Sequence, residues 1–180
     1  MTTLDMIRTA TALVAPGKGI LAADESFPTI EKRFKRLNIA STPDTRRDYR
    51  EMLFTTPGIG GFISGVILFD ETIRQKSADG TPFVDVLKRQ GIIPGIKVDL
   101  GAKPLARFPD EKITEGLDGL RDRLVGYRHL GAQFTKWRAV IGINDHHPSR
   151  ACLEANAHAL ARFAALTQEA GLVPIVEPEV

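Results

Sequence analysis

The chain has 180 residues, of which 43% are hydrophobic and 26% are charged. This balance is typical of a globular protein with a buried core, and it excludes collagen-like, disordered and coiled-coil chains. The 24 basic and 22 acidic side chains are mixed along the sequence and leave a formal net charge of only +2. We therefore expect no nucleic-acid partner.

The single cysteine, Cys152, cannot form an internal disulfide, and no cysteine–histidine cluster has zinc-site spacing. The amino terminus lacks the apolar stretch of a signal peptide, and no run approaches the about 20 apolar residues of a membrane span. These features predict a cytoplasmic protein without a membrane partner.

Short runs rich in isoleucine and valine alternate with segments of helical period, which indicates parallel α/β architecture in a single domain over residues 1–180. The predicted strands lie at residues 19–23, 62–69, 92–98, 133–141 and 172–176. The predicted helices lie at residues 3–14, 29–37, 43–54, 82–90, 116–130 and 149–170. Glycines at 91, 131 and 171 follow three of the helices, where a residue free to adopt positive φ ends a helix.

Five strands of this kind fit either an open doubly wound sheet or part of an eight-stranded barrel. The charged residues favour the barrel, since strands covered on both faces should be apolar throughout. Here three cations and four anions lie within the strands or at their carboxyl ends: Asp24, Lys97, Asp99, Lys136, Arg138, Glu177 and Glu179. Isolated buried charges are costly, so these groups must pair with one another or meet a charged ligand.

Spacing along the strands strengthens this interpretation. Residues two apart on a strand point to the same face, so Lys136 and Arg138 should share a face, as should Lys97 and Asp99. Glu177 and Glu179, expected just beyond the fifth strand, should also point the same way. The sequence thus predicts a polar site at the carboxyl-terminal mouth of a barrel, where a carboxylate near lysines can be tuned for proton transfer.

Three other patterns have structural interpretations that we favour. Residues 17–22 match the glycine-rich dinucleotide pattern by letter, but they precede a strand instead of following one. The Asp145-His146-His147 sequence lacks a third ligand at recognisable spacing, which favours ordinary loop residues over a metal site. Cys152 falls just inside a predicted helix, where a packed thiol is expected and not a reactive thiolate.

Five segments resemble the class I fructose-bisphosphate aldolase family, in that family's order along essentially the whole chain. They are APGKGILAADES at 15–26, GVILFDETI at 65–73, GIKVD at 95–99, KWRAV at 136–140 and GLVPIVEPEV at 171–180. The resemblance implies a (β/α)8 barrel, to which this chain contributes about the first five β/α units. It also implies reversible cleavage of fructose 1,6-bisphosphate to dihydroxyacetone phosphate and glyceraldehyde 3-phosphate, without a metal or other cofactor.

In this family a lysine attacks the substrate ketone to form a Schiff base, which serves as the electron sink. The resemblance places Asp24 at the reacting carbons, where it orients or deprotonates the C4 hydroxyl. Glu177 matches the family's proton-transfer glutamate, with Glu179 beside it. Lys136 matches the cation that holds the acids and the nucleophile in their working protonation states.

The resemblance also implies a set of donors for the substrate phosphates, since a buried dianion needs several charge-assisted hydrogen bonds. That set comprises Ser26, Thr29, Lys97 and Arg138, with Arg46 and Arg33 adding positive charge nearby.

Two departures from the family pattern stand out. Phe27-Pro28-Thr29 replaces the Thr-Gly-Ser of many members, which keeps a hydroxyl but stiffens the loop. The family's Schiff-base lysine belongs to the next strand, beyond Val180, so we expect the 180 residues alone to be inactive. Alternatives are a non-catalytic fragment or interaction protein, and another barrel lyase or isomerase of phosphorylated sugars. Family members are commonly tetramers, which predicts a homo-oligomer for the full-length chain.

Overall fold

The computed structural model describes residues 2–180, which alternate between helices and strands. In chain order the elements are α1 (Thr3–Leu13), β1 (Gly19–Ala23), α2 (Phe27–Lys35), α3 (Pro43–Phe54), β2 (Ile63–Leu68), α4 (Asp70–Arg74), α5 (Phe83–Arg89), β3 (Ile93–Lys97), β4 (Ala102–Pro104), β5 (Lys112–Thr114), α6 (Leu120–His129), β6 (Phe134–Val140), α7 (Arg150–Glu169) and β7 (Val173–Glu179). A 3₁₀ turn, Ile59–Gly61, precedes β2.

The five predicted strands form one parallel sheet in the order β1-β2-β3-β6-β7. Neighbouring strands in this sheet therefore follow the order of the chain, with β4 and β5 forming a separate hairpin. A doubly wound sheet reverses its strand order at a switch point, whereas strands of a barrel continue in one direction. The topology confirms the prediction of a barrel-type fold, of which these residues build a curled half.

Some boundaries differ from the predictions for local reasons. The predicted helix over 116–130 begins only at Leu120, because Gly116 and Gly119 have φ values of 125° and 65°. Helix α4 and the β4–β5 hairpin were not predicted, since elements of three to five residues are too short to show a period. The positive φ of Gly171, 74°, confirms the predicted end of α7.

The fifth strand is longer than predicted. Glu177 and Glu179 lie within β7, paired with Arg138 and Val140 of β6, so the expectation that they follow the strand was wrong. Apolar character ends at Val176, but the backbone pairing continues because β6 extends to Val140 alongside it. The structure thus places both glutamates on an extended strand, with Glu177 directly opposite Arg138.

Strand β7 lies at one edge of the sheet. The Val173 N–H donates to the Gln133 carbonyl, and the Glu179 carbonyl accepts from the Ile141 N–H, so odd-numbered residues of β7 direct their backbone groups toward β6. Pro174 and Pro178 occupy the alternate positions, which face away from β6. Proline is tolerated there because no N–H is needed on that side.

The outer face of the sheet packs against the helices. Trp137 is fully buried and its ring stacks on Phe163 of α7, with centroids 5.5 Å apart. Thr135 and Thr167 share a hydrogen bond of 3.1 Å on the same face. Because alternate residues of β6 point outward, Lys136 and Arg138 must point to the inner face.

A second apolar cluster fills the inner face near the amino ends of the strands. Phe134 lies at its centre, in contact with Leu13 from α1 and Ile67 from β2. The ring has room because Gly65 of β2 and Gly95 of β3 face it. A Cβ atom at Gly95 would overlap the Phe134 ring, and one at Gly65 would meet both this ring and Leu13.

We expect Gly95→Ala to destabilise the protein by about 1–3 kcal/mol, the usual cost of overpacking a filled core. The rigid ring of Phe134 cannot move away without disturbing β6. The measurement is the free energy of unfolding from urea titration. Gly142→Ala is the matched control, since a Cβ there meets nothing within 4 Å; equal stability of the two variants would contradict the role assigned to Gly95.

Candidate active site

The inner face carries an ion pair between two strands that are not neighbours. Asp24 follows β1 and Lys136 belongs to β6, with β2 and β3 lying between them. In a flat sheet the axes of these strands would be about 14 Å apart, since strands are spaced by about 4.8 Å. Nevertheless, Lys136 Nζ lies 2.6 Å from Asp24 Oδ2. The contact requires a sheet curled toward its inner face.

Lys136 is at the centre of this arrangement. Only 6% of the residue is exposed, and its second carboxylate partner is Glu177, with Oε2 3.4 Å from Nζ. Burial alone would lower the pKa of Lys136, but the charges and hydrogen bonds of Asp24 and Glu177 outweigh burial and raise it. The side chain is therefore a protonated ammonium held between two acids, and a poor nucleophile.

A second ion pair, between Lys97 and Asp99, lies at the carboxyl end of β3. Lys97 Nζ donates to the carboxylate and to the backbone carbonyl of Asp99. The buried Asp99 carboxylate also accepts from the backbone N–H of Gly101, at 3.0 Å, and of Arg138, at 3.4 Å. Asp99 thus joins β3, its following loop and β6, and it keeps the Lys97 ammonium at the mouth of the half-barrel.

The third cation, Arg138, pairs mainly with Glu179. Its Nη2 donates to Glu179 Oε1 at 2.6 Å, and its Nε lies 3.9 Å from Glu177 Oε1. The hydrogen bond from Arg138 lowers the pKa of Glu179. All four side chains predicted as catalytic therefore belong to one connected group of charges, with Asp24 and Lys136 buried, Glu177 half-buried and Glu179 exposed.

A cleft of about 430 Å³ adjoins these charges at the carboxyl ends of the strands. Its polar lining includes Ser26, Lys97 and Arg138, and its apolar lining includes Phe69 and Leu100. Two cations and a hydroxyl beside a buried ion-paired network provide suitable donors for an anionic ligand. The predicted donor Thr29 lies next to the cleft, with its hydroxyl 3.1 Å from that of Ser26.

The structure does not bring Arg33 or Arg46 into the cleft. Arg33 is exposed and pairs with Glu25, whereas Arg46 donates both Nε and Nη2 to Glu71, at 2.8 and 2.6 Å. The Arg46 guanidinium also lies over the ring of Phe27, 4.6 Å from its centroid. This packing accounts for Phe27 in the loop that departs from the family pattern.

Sequence reasoning missed one buried residue beside the site, Arg50. It lies on α3 with Arg46 and Phe54, and these are the three buried residues of that helix. The spacing i, i+4, i+8 places them on one face, so the signal was available: two arginines share the core-facing stripe with a phenylalanine.

The remaining candidates have structural roles. His146 and His147 lie in the loop before α7, and within residues 2–180 no group of three histidine, cysteine or acidic side chains is placed to hold a metal ion. Cys152 is buried, and burial raises its pKa, which confirms a packed thiol. Residues 16 and 17 form a turn before β1, as expected from a glycine-rich pattern that precedes a strand. None of the helices in the described residues has both the length and the apolar character needed to cross a bilayer.

Fold and site together define a barrel-type α/β protein with ionisable groups gathered at the carboxyl ends of its parallel strands. A model of the class-I fructose-bisphosphate aldolase family matches residues 5–180. The chain belongs to that family.

Individual relatives agree with this assignment. A probable fructose-bisphosphate aldolase class 1 from Xanthomonas campestris is 63% identical over 97% of this chain and 52% of its own length. The cytosolic fructose-bisphosphate aldolase 6 of Arabidopsis thaliana is 54% identical over 98% of this chain and 49% of its own. The chain therefore spans about half the length of these relatives.

A solved structure of the Plasmodium falciparum aldolase, in complex with TRAP and a small-molecule inhibitor, superimposes with a TM-score of 0.95. It is 47% identical and covers 97% of this chain, which corresponds to 51% of the Plasmodium chain. The curled five-stranded sheet is thus part of a TIM barrel.

The raised pKa of Lys136 predicts how stability depends on pH. The folded protein holds this proton at a higher pH than the unfolded chain does, so the stabilising contribution is fully present below the unfolded lysine pKa of about 10.4. It is lost as the pH rises through the folded value. We expect the free energy of unfolding to fall above about pH 10 more steeply in the wild type than in Lys136→Met.

The measurement is urea unfolding at a series of pH values from neutral to strongly alkaline. The control is Lys103→Met, at an exposed position of β4, which should keep the wild-type slope. Parallel slopes for Lys136→Met and the wild type would contradict the ion pair.

Proposed function

We propose that these residues supply the acid–base and phosphate-binding half of a metal-independent fructose 1,6-bisphosphate aldolase site. The observation that carries the proposal is the group formed by Asp24, Lys136 and Glu177, with two acids on one buried ammonium at the mouth of a half-barrel. The reaction would be the reversible cleavage of the sugar bisphosphate into dihydroxyacetone phosphate and glyceraldehyde 3-phosphate, through a Schiff base.

Each group has a role that its environment supports. Asp24 is held against the Lys136 ammonium at 2.6 Å, where its carboxylate can accept the proton of the C4 hydroxyl. Glu177 is more exposed and only 3.4 Å from the ammonium, so it can exchange protons with the bound substrate. Glu179, paired with Arg138, adds negative charge that keeps the cations in place.

The raised pKa of Lys136 makes it unsuitable as the Schiff-base nucleophile, which must be a neutral amine. Lys97 is unsuitable on geometric grounds, because its Nζ already donates to the carboxylate and to the carbonyl of Asp99. We therefore assign the nucleophile to a lysine outside residues 2–180, consistent with relatives of about twice the length.

For a substrate phosphate we propose Ser26, Lys97 and Arg138, which line the cleft, assisted by Thr29. Arg33 and Arg46 would have to leave Glu25 and Glu71 before reaching the cleft, so they take a secondary place in the proposal. We also infer a cytoplasmic location, as named for the Arabidopsis relative, and a homo-tetramer for the full-length protein.

A second candidate is a non-catalytic protein that keeps part of the barrel, such as a fragment or an interaction protein. The observation favouring it is the sheet itself, in which β1 and β7 each have a neighbour on one side only within residues 2–180. Joining this chain to the remaining half of the Xanthomonas campestris relative separates the two candidates. The aldolase proposal expects fructose 1,6-bisphosphate cleavage by this chimera, whereas an inactive chimera that folds and forms tetramers would favour the second candidate.

In the active chimera, we expect Lys136→Ala and Glu177→Gln each to lower kcat by roughly a hundredfold or more, the scale of a lost electrostatic or acid–base group. The measurement is steady-state cleavage of fructose 1,6-bisphosphate. Exposed residues of matched type provide the controls, Lys103→Ala on β4 and Glu169→Gln on α7. Near-normal kcat for both site variants would remove these residues from the mechanism.

Borohydride reduction in the presence of dihydroxyacetone phosphate should trap an adduct on the chimera at a lysine outside residues 2–180. The 180-residue chain should gain no stoichiometric adduct, because both lysines near its cleft are engaged in ion pairs with carboxylates. Peptide mass mapping locates the adduct. Modification of Lys97 or Lys136 in the chain alone would show that it carries its own nucleophile and would refute the assignment above.

A further inference from the structure

Arg50 is the least exposed charged side chain near the site. Only 1% of the residue is accessible, although its guanidinium remains charged at any ordinary pH. Burial is the main influence on the pKa of Arg50 and lowers it, while the charge of Glu25 opposes this effect. A buried cation is costly unless every donor is engaged, so its partners indicate what the residue does.

Those partners enclose one catalytic candidate. Arg50 Nε donates to the carbonyl of Ala23, and Nη2 donates to the carbonyl of Glu25, both at 3.1 Å. Ala23 and Glu25 are the residues immediately before and after Asp24. Nη2 also donates to the Glu25 carboxylate at 3.1 Å. One rigid guanidinium therefore holds the backbone at two points around Asp24: the peptide that joins Ala23 to Asp24, and the peptide that joins Glu25 to Ser26.

These bonds from Arg50 hold the backbone at the point where strand β1 ends. Ala23 is the last residue of β1 and pairs with Leu68, so the sheet no longer fixes the backbone beyond it. Helix α2 begins at Phe27, after Ser26. Within this short connection Asp24 must reach across the inner face to Lys136, and the bonds from Arg50 replace the sheet pairing that has just ended.

The geometry requires arginine. The planar guanidinium holds Nε and Nη2 in a fixed geometry, so it can donate to two backbone carbonyls and to the Glu25 carboxylate at once. A lysine ammonium is a single compact charge and lacks this geometry. Arg33 provides a natural comparison, because it pairs with the same Glu25 carboxylate but is exposed and has no recorded bond to the backbone of residues 23–25.

We propose that Arg50 is a positioning residue, which acts through the backbone around Asp24 to keep that carboxylate in contact with Lys136. Its consequence for catalysis rests on the function proposed above, but the contact itself is tested in the 180-residue chain without any turnover.

The test is competitive acetylation of lysines with trace acetic anhydride across the alkaline pH range, followed by mass spectrometry. Loss of the Asp24 contact frees the Lys136 amine from its main anionic partner, so in Arg50→Lys we expect Lys136 at pH 9 to react roughly tenfold faster. Asp24→Asn defines the upper limit of this increase. Lys97 is the internal standard, since its partner Asp99 has no contact with Arg50.

Arg33→Lys is the matched control and should leave Lys136 at the wild-type rate. Should Arg50→Lys lose its native circular dichroism, Arg50→Gln is measured in its place. An unchanged Lys136 rate in the folded variant would overturn the proposal, and so would equal increases at Lys136 and Lys97, which would indicate general loosening of the fold.

The catalytic consequence is measured in the chimera, where Arg50→Lys should lower kcat while leaving KM within about twofold, because Arg50 does not hold Lys97 or Arg138, the two cations of the cleft. An inactive parent chimera would contradict the proposed function and leave the labelling result intact. If the unsubstituted chimera is active and its Arg50→Lys variant has the same kcat, the contacts of Arg50 with the backbone around Asp24 do not serve catalysis.

Discussion

The ion pair between Asp24 and Lys136 is the interaction on which the arrangement of the site depends. It spans the inner face from the first strand of the sheet to the fourth, so it forms only when the sheet is curled. Glu177 completes the group from the fifth strand. A buried ammonium with one acid on either side tolerates the low-dielectric interior because its charge is neutralised at close range.

The inner face divides into two layers with opposite chemistry. Phe134 fills the amino-terminal layer with the help of Leu13, and the glycines opposite it allow the strands to approach the ring. Two residues further along β6, Lys136 begins the charged layer. The apolar layer excludes water from below, which strengthens the electrostatic interactions above it. The same strand thus supplies the floor of the site and its central cation.

The sequence predicted the strands, the topology class and the convergence of charges, because these follow from local period and from the cost of isolated buried charge. It could not predict which acid meets which base. The contact from Asp24 to Lys136 depends on curvature, and the diversion of Arg46 to Glu71 depends on how α3 meets α4. Arg50 was missed because an arginine on a helix face is ordinarily a solvated side chain, although its spacing from Phe54 places it on the core-facing stripe where the fold buries it.

The prolines of β7 restrict what can join the sheet at its free edge. Pro174 and Pro178 occupy the outward-facing positions of that strand, which leaves Val176 as the outward N–H between them. An incoming strand would find carbonyl acceptors along this edge but a single amide donor in its middle. Such an edge is a poor template for indiscriminate self-association, and it favours one register for any strand that pairs with it. The register of a strand that closes the barrel at this edge would therefore be set by Pro174 and Pro178, the two positions that offer no amide donor.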